Sequence, residues 1–486
     1  MDYQSTRNKK LTADSARAVL DGIASDGGLY IADPSAIEFD WQACLKQDAR
    51  GMSEMILHAL LPDFPDMKGI VERSYKDKFE TEDLVPTVKV GDMYVLELFR
   101  GPTSAFKDVA LSVLPQLITS ARGIEGADGD VVILTATSGD TGKAALEGFH
   151  DVPGTRIVVF YPYKGVSKVQ ELQMSTQKGS NVKVCAVRGN FDDAQTGVKN
   201  VFAACRDKDL GGKSLSSANS INIGRLAPQV MYYFKAYADL VKAGRISAGD
   251  KVHYVVPTGN FGDILAGYFA KLLGLPVGTL VCASNANNVL TDFISTGVYD
   301  KRREFYKTSS PSMDILVSSN LERLLYLITK DEAYVAELMK QLSTEGIYKF
   351  RDEYLKKLQA EFACACCSDD ESLKTIGEVF DKYDYLCDPH TAVAWNAAEK
   401  FKEKAGDAPV VVLSTASPYK FPAACIKALG KTPDEDEFEV MKQLEKISGM
   451  PVPKNLSGLK TAKVLHTDVI EKEEMLEYVL EFVEAR

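Results

Sequence analysis

The chain has 486 residues, 45% of them apolar and 26% charged, the balance of an ordinary globular protein and enough length for roughly three domains at about 150 residues each. Its 57 basic and 68 acidic side chains leave a formal net charge of −11, which excludes a nucleic-acid or anionic-membrane surface covering the whole molecule but leaves room for a small basic pocket. A chain of this size buries about three quarters of its surface and needs no disulfide or metal to hold its fold.

The opening residues Met1 to Lys10 contain no apolar stretch of the kind a secretory signal needs, so none is expected. No apolar run approaches the ~20 residues of a membrane span. The nine cysteines are scattered and odd in number, which reads as reduced thiols in a cytoplasmic protein.

The first ~85 residues form one expected domain. Ala13–Gly22 and Met52–Leu61 have helical apolar spacing, and the turn-rich run Ser25 to Pro34 separates them. Pro62, Pro65 and Pro86 punctuate the region's end. From 86 to 486 the pattern changes to short β-branched runs, each followed by a helical stretch. The runs are Met93–Leu98, Val131–Thr135, Arg156–Tyr161, Val182–Val187, Val252–Val256, Leu280–Ala283 and Pro409–Ser414. Several are apolar at consecutive positions, as in strands covered on both faces, and strand–helix alternation indicates an α/β architecture with parallel sheets. A smaller lobe is expected near 110–200, with the remainder forming a larger lobe. The stretch 300–385, with helical Leu321–Ile328 and Tyr334–Leu342, reads as a helical insertion. Pro433-Asp-Glu-Asp-Glu437 reads as a solvated acidic surface.

Four polar segments follow expected strands, where ligands bind in open α/β sheets. In Arg100-Gly-Pro-Thr-Ser-Ala-Phe-Lys-Asp108 a helix is expected to begin near Thr103 or Ser104. Lys107 then sits near a helix start between apolar neighbours. Both settings disfavour the ammonium form and favour the neutral amine that Schiff-base chemistry uses. Read alone, the residue fits a lysine laying its stem over the core better than a catalytic one. Asp108 reads as a local cap or partner.

Thr135-Ala-Thr-Ser-Gly-Asp-Thr-Gly142 runs from a strand into a helix start, where free amides and hydroxyls such as Ser138 and Thr141 suit a carboxylate. An ordinary capped turn fits the same residues. The Gly142-Lys143 pair lacks the spacing and the following hydroxyl of a P-loop. Pro257-Thr-Gly-Asn-Phe-Gly-Asp263 offers two glycines and a nest of N–H donors for a phosphate monoester. It is not the dinucleotide fingerprint. Ser414-Thr-Ala-Ser-Pro418 places hydroxyls, Thr415 among them, at the end of a very apolar strand. A lysine, two anion turns and a neutral strand-end hydroxyl together match the needs of pyridoxal phosphate and an amino-acid substrate.

These motifs resemble the threonine synthase family of fold-type II, tryptophan-synthase-β-like pyridoxal phosphate lyases. Tyr3-Gln-Ser-Thr-Arg7 and Asp26-Gly-Gly-Leu-Tyr30 are similar to its N-terminal signature, and Gly101 to Asp108 to its cofactor-lysine motif. Thr137 to Gly142, Asn219-Ser-Ile-Asn-Ile-Gly-Arg225, Thr258 to Asp263, Asp388-Pro-His-Thr-Ala392 and Ser414 to Phe421 follow in the family's order.

The resemblance implies a helical N-terminal domain and a two-lobed catalytic unit with helices on both faces of its sheets. It implies that Lys107 forms the Schiff base, and that Gly259, Asn260, Phe261, Gly262 and Asp263 form the cofactor-phosphate loop. Thr415 is implied at the pyridine nitrogen. Ser138, Asp140 and Thr141 would line the cofactor's phenolic oxygen and the substrate carboxylate. Asn219, Ser220 and Arg225 would meet the substrate's phosphate, which a guanidinium fork suits. No metal is implied.

The reaction implied is conversion of O-phospho-L-homoserine and water to L-threonine and phosphate, the last step of threonine biosynthesis. Lys107 would take the α-proton, phosphate would leave the γ-carbon, and water would add at the β-carbon. The alternatives are a related phospho-lyase that releases 2-oxobutyrate and a non-catalytic metabolite-binding protein. The partner implied is the small-molecule substrate, with no nucleic acid or membrane, in a monomer or homodimer. Arg100 and Ser417 depart from the family's commoner residues. Cys364-Ala-Cys-Cys367 reads as thiols, since its spacing with no nearby histidine does not make a tetrahedral metal site. His390 reads as structural or catalytic with equal weight.

Overall fold

The computed structural model describes residues 2–137, 139–206 and 208–484. The N-terminal segment pairs strands Asn8–Ala13, Tyr3–Ser5 and Tyr30–Ile31 in one small antiparallel sheet. Among the helices that accompany it, Ser15–Asp21, Ala49–Leu60 and Met67–Tyr75 each begin behind an aspartate. Asp14, Asp48 and Asp66 accept hydrogen bonds from the N–H groups of Arg17, Gly51 and Gly69, which satisfies donors that a helix start leaves open. Met52, Ile56 and Leu60 form one buried stripe of the second helix, which packs against the helix Val230–Lys242.

The larger sheet has six strands in the order Phe362–Cys366, Val277–Ser284, Val252–Pro257, Val410–Ser414, Met93–Glu97 and Thr87–Val90. All neighbours are parallel except the last pair. The strand Val252–Pro257 is buried throughout, and its side chains divide between two cores. Val252, Tyr254 and Val256 join the core containing Ile264 and Leu265 of the helix Gly262–Leu272. Val255 joins the core containing Ala392, Val393 and Trp395 of the helix Pro389–Ala405. Period-two alternation thus becomes a continuous apolar run, because both faces are covered.

The smaller sheet runs Asp468–Glu471, Val182–Arg188, Thr155–Pro162, Val131–Ala136 and Ser214–Ser216, all parallel. Ile133, Ile157 and Val159 share a core with the helices Lys107–Glu125 and Asp140–Phe149. Val132, Leu134 and Val158 pack against the helices Phe191–Cys205 and Met475–Glu484.

Three features differ from the expectations. The smaller lobe takes in Ser214–Ser216 and the C-terminal strand and helix, where the sequence reading ended it near 200 and gave the rest to the larger lobe. Asp468-Val-Ile-Glu471 is short and charged at both ends, so it carries no apolar strand signal. The stretch 300–385 is not wholly helical: Ile347–Lys349 pairs with Val298–Asp300, and Phe362–Cys366 forms the edge of the larger sheet. Its Phe-Ala-Cys-Ala-Cys sequence lacks the β-branched residues that mark a strand. Finally, the helix bearing Lys107 begins at Lys107 itself. Ser104 has a left-handed φ of 61° and Ala105 bridges Ala416, so the residues before Lys107 pair with a strand end instead of winding into a helix.

Candidate active site

The turn that carries Lys107 is fixed from two directions. The Phe106 N–H donates to the Thr415 carbonyl at 2.8 Å, and the Ser417 N–H donates to the Ser104 carbonyl at 3.0 Å. These bonds seat the turn against the residues that follow the strand Val410–Ser414. Within the turn, Asp108 accepts from the Thr103 N–H at 2.8 Å and from its hydroxyl at 2.5 Å. A Cβ on Gly101 would lie 2.5 Å from an Asp108 carboxylate oxygen, so only glycine allows the turn to close this tightly. Burial pushes the Asp108 carboxyl up to about 6.

Lys107 opens its helix, and its Nζ lies 4.6 Å from the centroid of the Phe106 ring. The residue is half-buried, and protein surrounds its amine on most sides. Desolvation lowers the amine to about 8; Arg225 and Lys420 push the same way, and Asp140 and Asp108 oppose them.

The strand Val252–Pro257 leads into a cradle of main-chain donors. Thr258 donates to the Ala283 carbonyl through its N–H at 2.9 Å and to the Val256 carbonyl through its hydroxyl at 2.7 Å. The Gly259 carbonyl accepts from the Ser318 hydroxyl at 2.8 Å, and the Asn260 carbonyl accepts from the Asn320 N–H at 3.0 Å. Phe261 adopts φ 63° and ψ 4°, a conformation a bulky residue holds only under constraint from its surroundings. The helix Gly262–Leu272 then starts without a side-chain cap. Among the described residues, no acceptor meets the N–H groups of residues 259–264. A left-handed residue followed by a helix start forms a concave nest for an anion.

Asp263 turns its carboxylate away from that role. It accepts from the hydroxyls of Tyr232 and Tyr233, and burial pushes it up to about 6.

The smaller sheet contributes the turn after Val131–Ala136. The Thr137 hydroxyl oxygen accepts from the N–H groups of Gly139 and Gly142, both at 3.0 Å. Gly139 has φ 152°, and a Cβ there would lie 2.3 Å from the Gln170 amide nitrogen. Asp140 follows and pairs with Lys420 at 2.9 Å, with side-chain exposures of only 6% and 1%. Burial alone would raise the Asp140 carboxyl, but Lys420 and Lys107 outweigh it and hold it below the ordinary carboxylate range. Thr141 is half-buried nearby. Ser138, the expected carboxylate contact, lies outside the described residues.

Arg225 is buried on the short helix Ile223–Leu226. One guanidinium nitrogen donates to the Ala218 carbonyl, while Nε has no partner. Desolvation lowers the group to about 10. Asn219 is exposed. The Ser220 carbonyl accepts from the Asn320 side chain at 3.1 Å, which joins this segment to the cradle. The structure thus brings Lys107, Asp140, Arg225 and Thr415 into one neighbourhood beside the cradle of Gly259 to Asp263.

Sequence reasoning missed one group. Lys420 donates to Asp140, to the Thr103 carbonyl at 3.2 Å and to the Gln173 side chain at 3.2 Å. Its only sequence signal is its place in the strand-end segment that also holds Thr415. His390 links to Asp388 through Nδ1 at 2.8 Å, and its Nε2 accepts from the Ser312 N–H at 3.1 Å. The Ser312 carbonyl is the group that a Cβ on Gly259 would meet, at 2.8 Å. His390 therefore supports the wall of the cradle.

The two departures from the family pattern have structural partners. Arg100 forks onto Glu97 at 2.9 and 2.6 Å and reaches Glu80 at 3.1 Å. The Ser417 hydroxyl oxygen accepts from the Tyr419 N–H at 3.3 Å.

Lys420 thus pairs with the firmly ionised Asp140, Lys107 lies within the field of that carboxylate, and Arg225 stands near Lys107. With the free amides of the cradle, this is a receptor for more than one anionic group.

The family model described as threonine synthase N terminus matches residues 2–75, and that described as threonine synthase, C-terminal matches residues 391–474. Threonine synthase-like 1 of Macaca fascicularis is 40% identical over 85% of the chain, which spans only 58% of that relative. The threonine synthase of Saccharomyces cerevisiae is 35% identical over 97% of the chain and 98% of its own length. A crystal structure of pyridoxal-phosphate-bound threonine synthase from Brucella melitensis superposes with a TM-score of 0.88 at 35% identity, covering 100% of both chains.

Proposed function

Because the chain belongs to the threonine synthase family, we propose that it is a pyridoxal-phosphate-dependent carbon–oxygen lyase converting O-phospho-L-homoserine and water to L-threonine and phosphate. The observation that carries this reading is the pairing of a desolvated lysine, Lys107, with the unpartnered amides of residues 259–264. An amine for an aldehyde and a nest for a phosphate monoester are the two attachments the cofactor requires. The fit has further support in this chain, since the buried Arg225 leaves its Nε without a partner. When bound, pyridoxal phosphate supplies an electron sink next to the substrate's α-carbon.

The residues then divide the work. Lys107 holds the cofactor, takes the α-proton and returns protons later in the sequence; an amine lowered to about 8 exchanges protons readily near neutral pH. The amides of Gly259 to Asp263 hold the cofactor's phosphate, and Thr415 offers the pyridine nitrogen a neutral partner. Ser138 and Thr141 would take the substrate carboxylate, and Asp140 would stand toward the cofactor's phenolic oxygen. Arg225, with Asn219 and Ser220, binds the substrate's phosphate and keeps it oriented for departure. Contact between the lobes at Asp140 and Lys420 excludes untimely water.

We place the enzyme in the cytoplasm, as a monomer or homodimer acting on a small molecule. Among the described residues no helix is long and apolar enough to cross a membrane. Incubation with O-phospho-L-homoserine and identification of the product test the reading. Threonine and phosphate in equal amounts are expected, and 2-oxobutyrate in place of threonine would reject it.

A further inference from the structure

We propose that Lys420 is a positioning residue for Lys107: by holding Asp140 in a buried ion pair between the lobes, it denies the Lys107 amine a carboxylate partner. The proposal rests on the reading of Lys107 as the cofactor-bearing amine.

The geometry is specific. An ammonium has three donors and no acceptor, and Lys420 meets three acceptors: Asp140 Oδ1 at 2.9 Å, the Thr103 carbonyl at 3.2 Å and Gln173 Oε1 at 3.2 Å. Thr103 belongs to the Lys107 turn, Asp140 opens a helix of the smaller lobe, and Lys420 follows the strand Val410–Ser414 of the larger sheet. One side chain therefore ties the amine's own turn to the carboxylate beside it.

Asp140 is the anion that most favours protonated Lys107. Without Lys420, two changes push Lys107 the same way. A neighbouring positive charge disappears, and the buried Asp140 carboxylate, left with only the Gln170 side-chain amide at 3.5 Å, turns to Lys107. The other charged groups within reach do not replace Lys420. Asp108 is engaged by Thr103, Asp263 by Tyr232 and Tyr233, His390 by Asp388 and the Ser312 N–H, and Arg225 donates to Ala218. An opposite charge within about 4–6 Å shifts a titration by about one to three pH units.

The test uses the full chain freed of cofactor. Lys107 is labelled with trace acetic anhydride from pH 6 to 10, and the modified peptide is quantified by mass spectrometry. Lys420→Met is expected to raise the labelling midpoint by at least about one pH unit, a tenfold loss of unprotonated amine at fixed pH. Lys420→Arg keeps the charge and is expected to stay near wild type. Adding Asp140→Asn to Lys420→Met is expected to bring the midpoint back down, and Asp140→Asn is expected to act more strongly in that background than alone.

An unmoved midpoint in Lys420→Met, or equal effects of Asp140→Asn in both backgrounds, would overturn the proposal. Should Lys420→Met fail to fold, Lys420→Gln carries the same comparison, with the same expected rise and the same overturning result. A separate control distinguishes this failure from failure of the functional reading. If borohydride fixes no cofactor on wild-type Lys107, the functional reading falls; if attachment is normal and the midpoint is unmoved, only the role of Lys420 falls.

Discussion

The Phe106 N–H and the Thr415 carbonyl share a 2.8 Å hydrogen bond, so the residue before the site's lysine is anchored to the residue after a central strand. The amine's position therefore follows the rigid sheet. This bond uses the Thr415 main chain and leaves its hydroxyl for the ligand. Thr415→Val is therefore expected to keep the fold within about 1–2 kcal/mol in urea denaturation and to lower turnover about tenfold or more. Large destabilisation with normal turnover would assign the hydroxyl to the fold.

Gly259 lies under the wall made by residues 312 and 313. A Cβ there would stand 2.8 Å from the Ser312 carbonyl oxygen, a main-chain atom that moves only with its loop. Gly259→Ala is expected to cost about 1–3 kcal/mol of stability and to weaken cofactor binding, read by absorbance titration. Unchanged affinity would show that the cradle's shape does not depend on this close approach.

Arg225 is a buried cation that pairs with no carboxylate among the described residues, and its Nε is unsatisfied. Replacing such a charge with an apolar side chain of similar volume is often neutral or stabilising. Arg225→Met is expected to hold or raise the Tm of the substrate-free enzyme while raising KM for O-phospho-L-homoserine at least about tenfold. A lower Tm with unchanged KM would assign the guanidinium to the fold instead of the substrate.

Asp263 titrates at about 6 in the folded protein because burial disfavours its charge, against about 4 in an unfolded chain. Between those values the folded protein holds a proton that the unfolded chain has released. Its contribution to stability is therefore present below about pH 4 and lost as pH rises to about 6. Asp263→Asn keeps an oxygen for the tyrosine hydroxyls and removes the titration. Relative to wild type, the variant is expected to gain about 1–3 kcal/mol between pH 4 and pH 7 in chemical denaturation. A pH-independent difference would contradict the raised titration.

Much of the scaffold was legible because its central strands are covered on both faces. Val252–Pro257 and Val410–Ser414 read as unbroken apolar runs, and a run of that kind ending in small polar residues marks a ligand-binding strand end. Phe362–Cys366 was not legible, since a half-covered edge strand of small side chains has neither the alternation nor the branching that marks a strand. The Lys107 helix starts later than its sequence indicates for a local reason. Ser104 takes a left-handed conformation to make the Ala105–Ala416 bridge, and nothing in Thr-Ser-Ala announces that pairing. Lys420 shows the wider limit. Its local sequence is a lysine in a short turn after proline, and its importance comes from Asp140, a residue of the other lobe.

The most direct measurement reduces the cofactor-loaded enzyme with borohydride and locates the pyridoxyl group by peptide mass spectrometry. The expected result is a single modified residue, Lys107, with no attachment in a folded Lys107→Ala variant. A pyridoxyl group on another lysine, or none on any, would contradict the assignment on which the proposed chemistry depends.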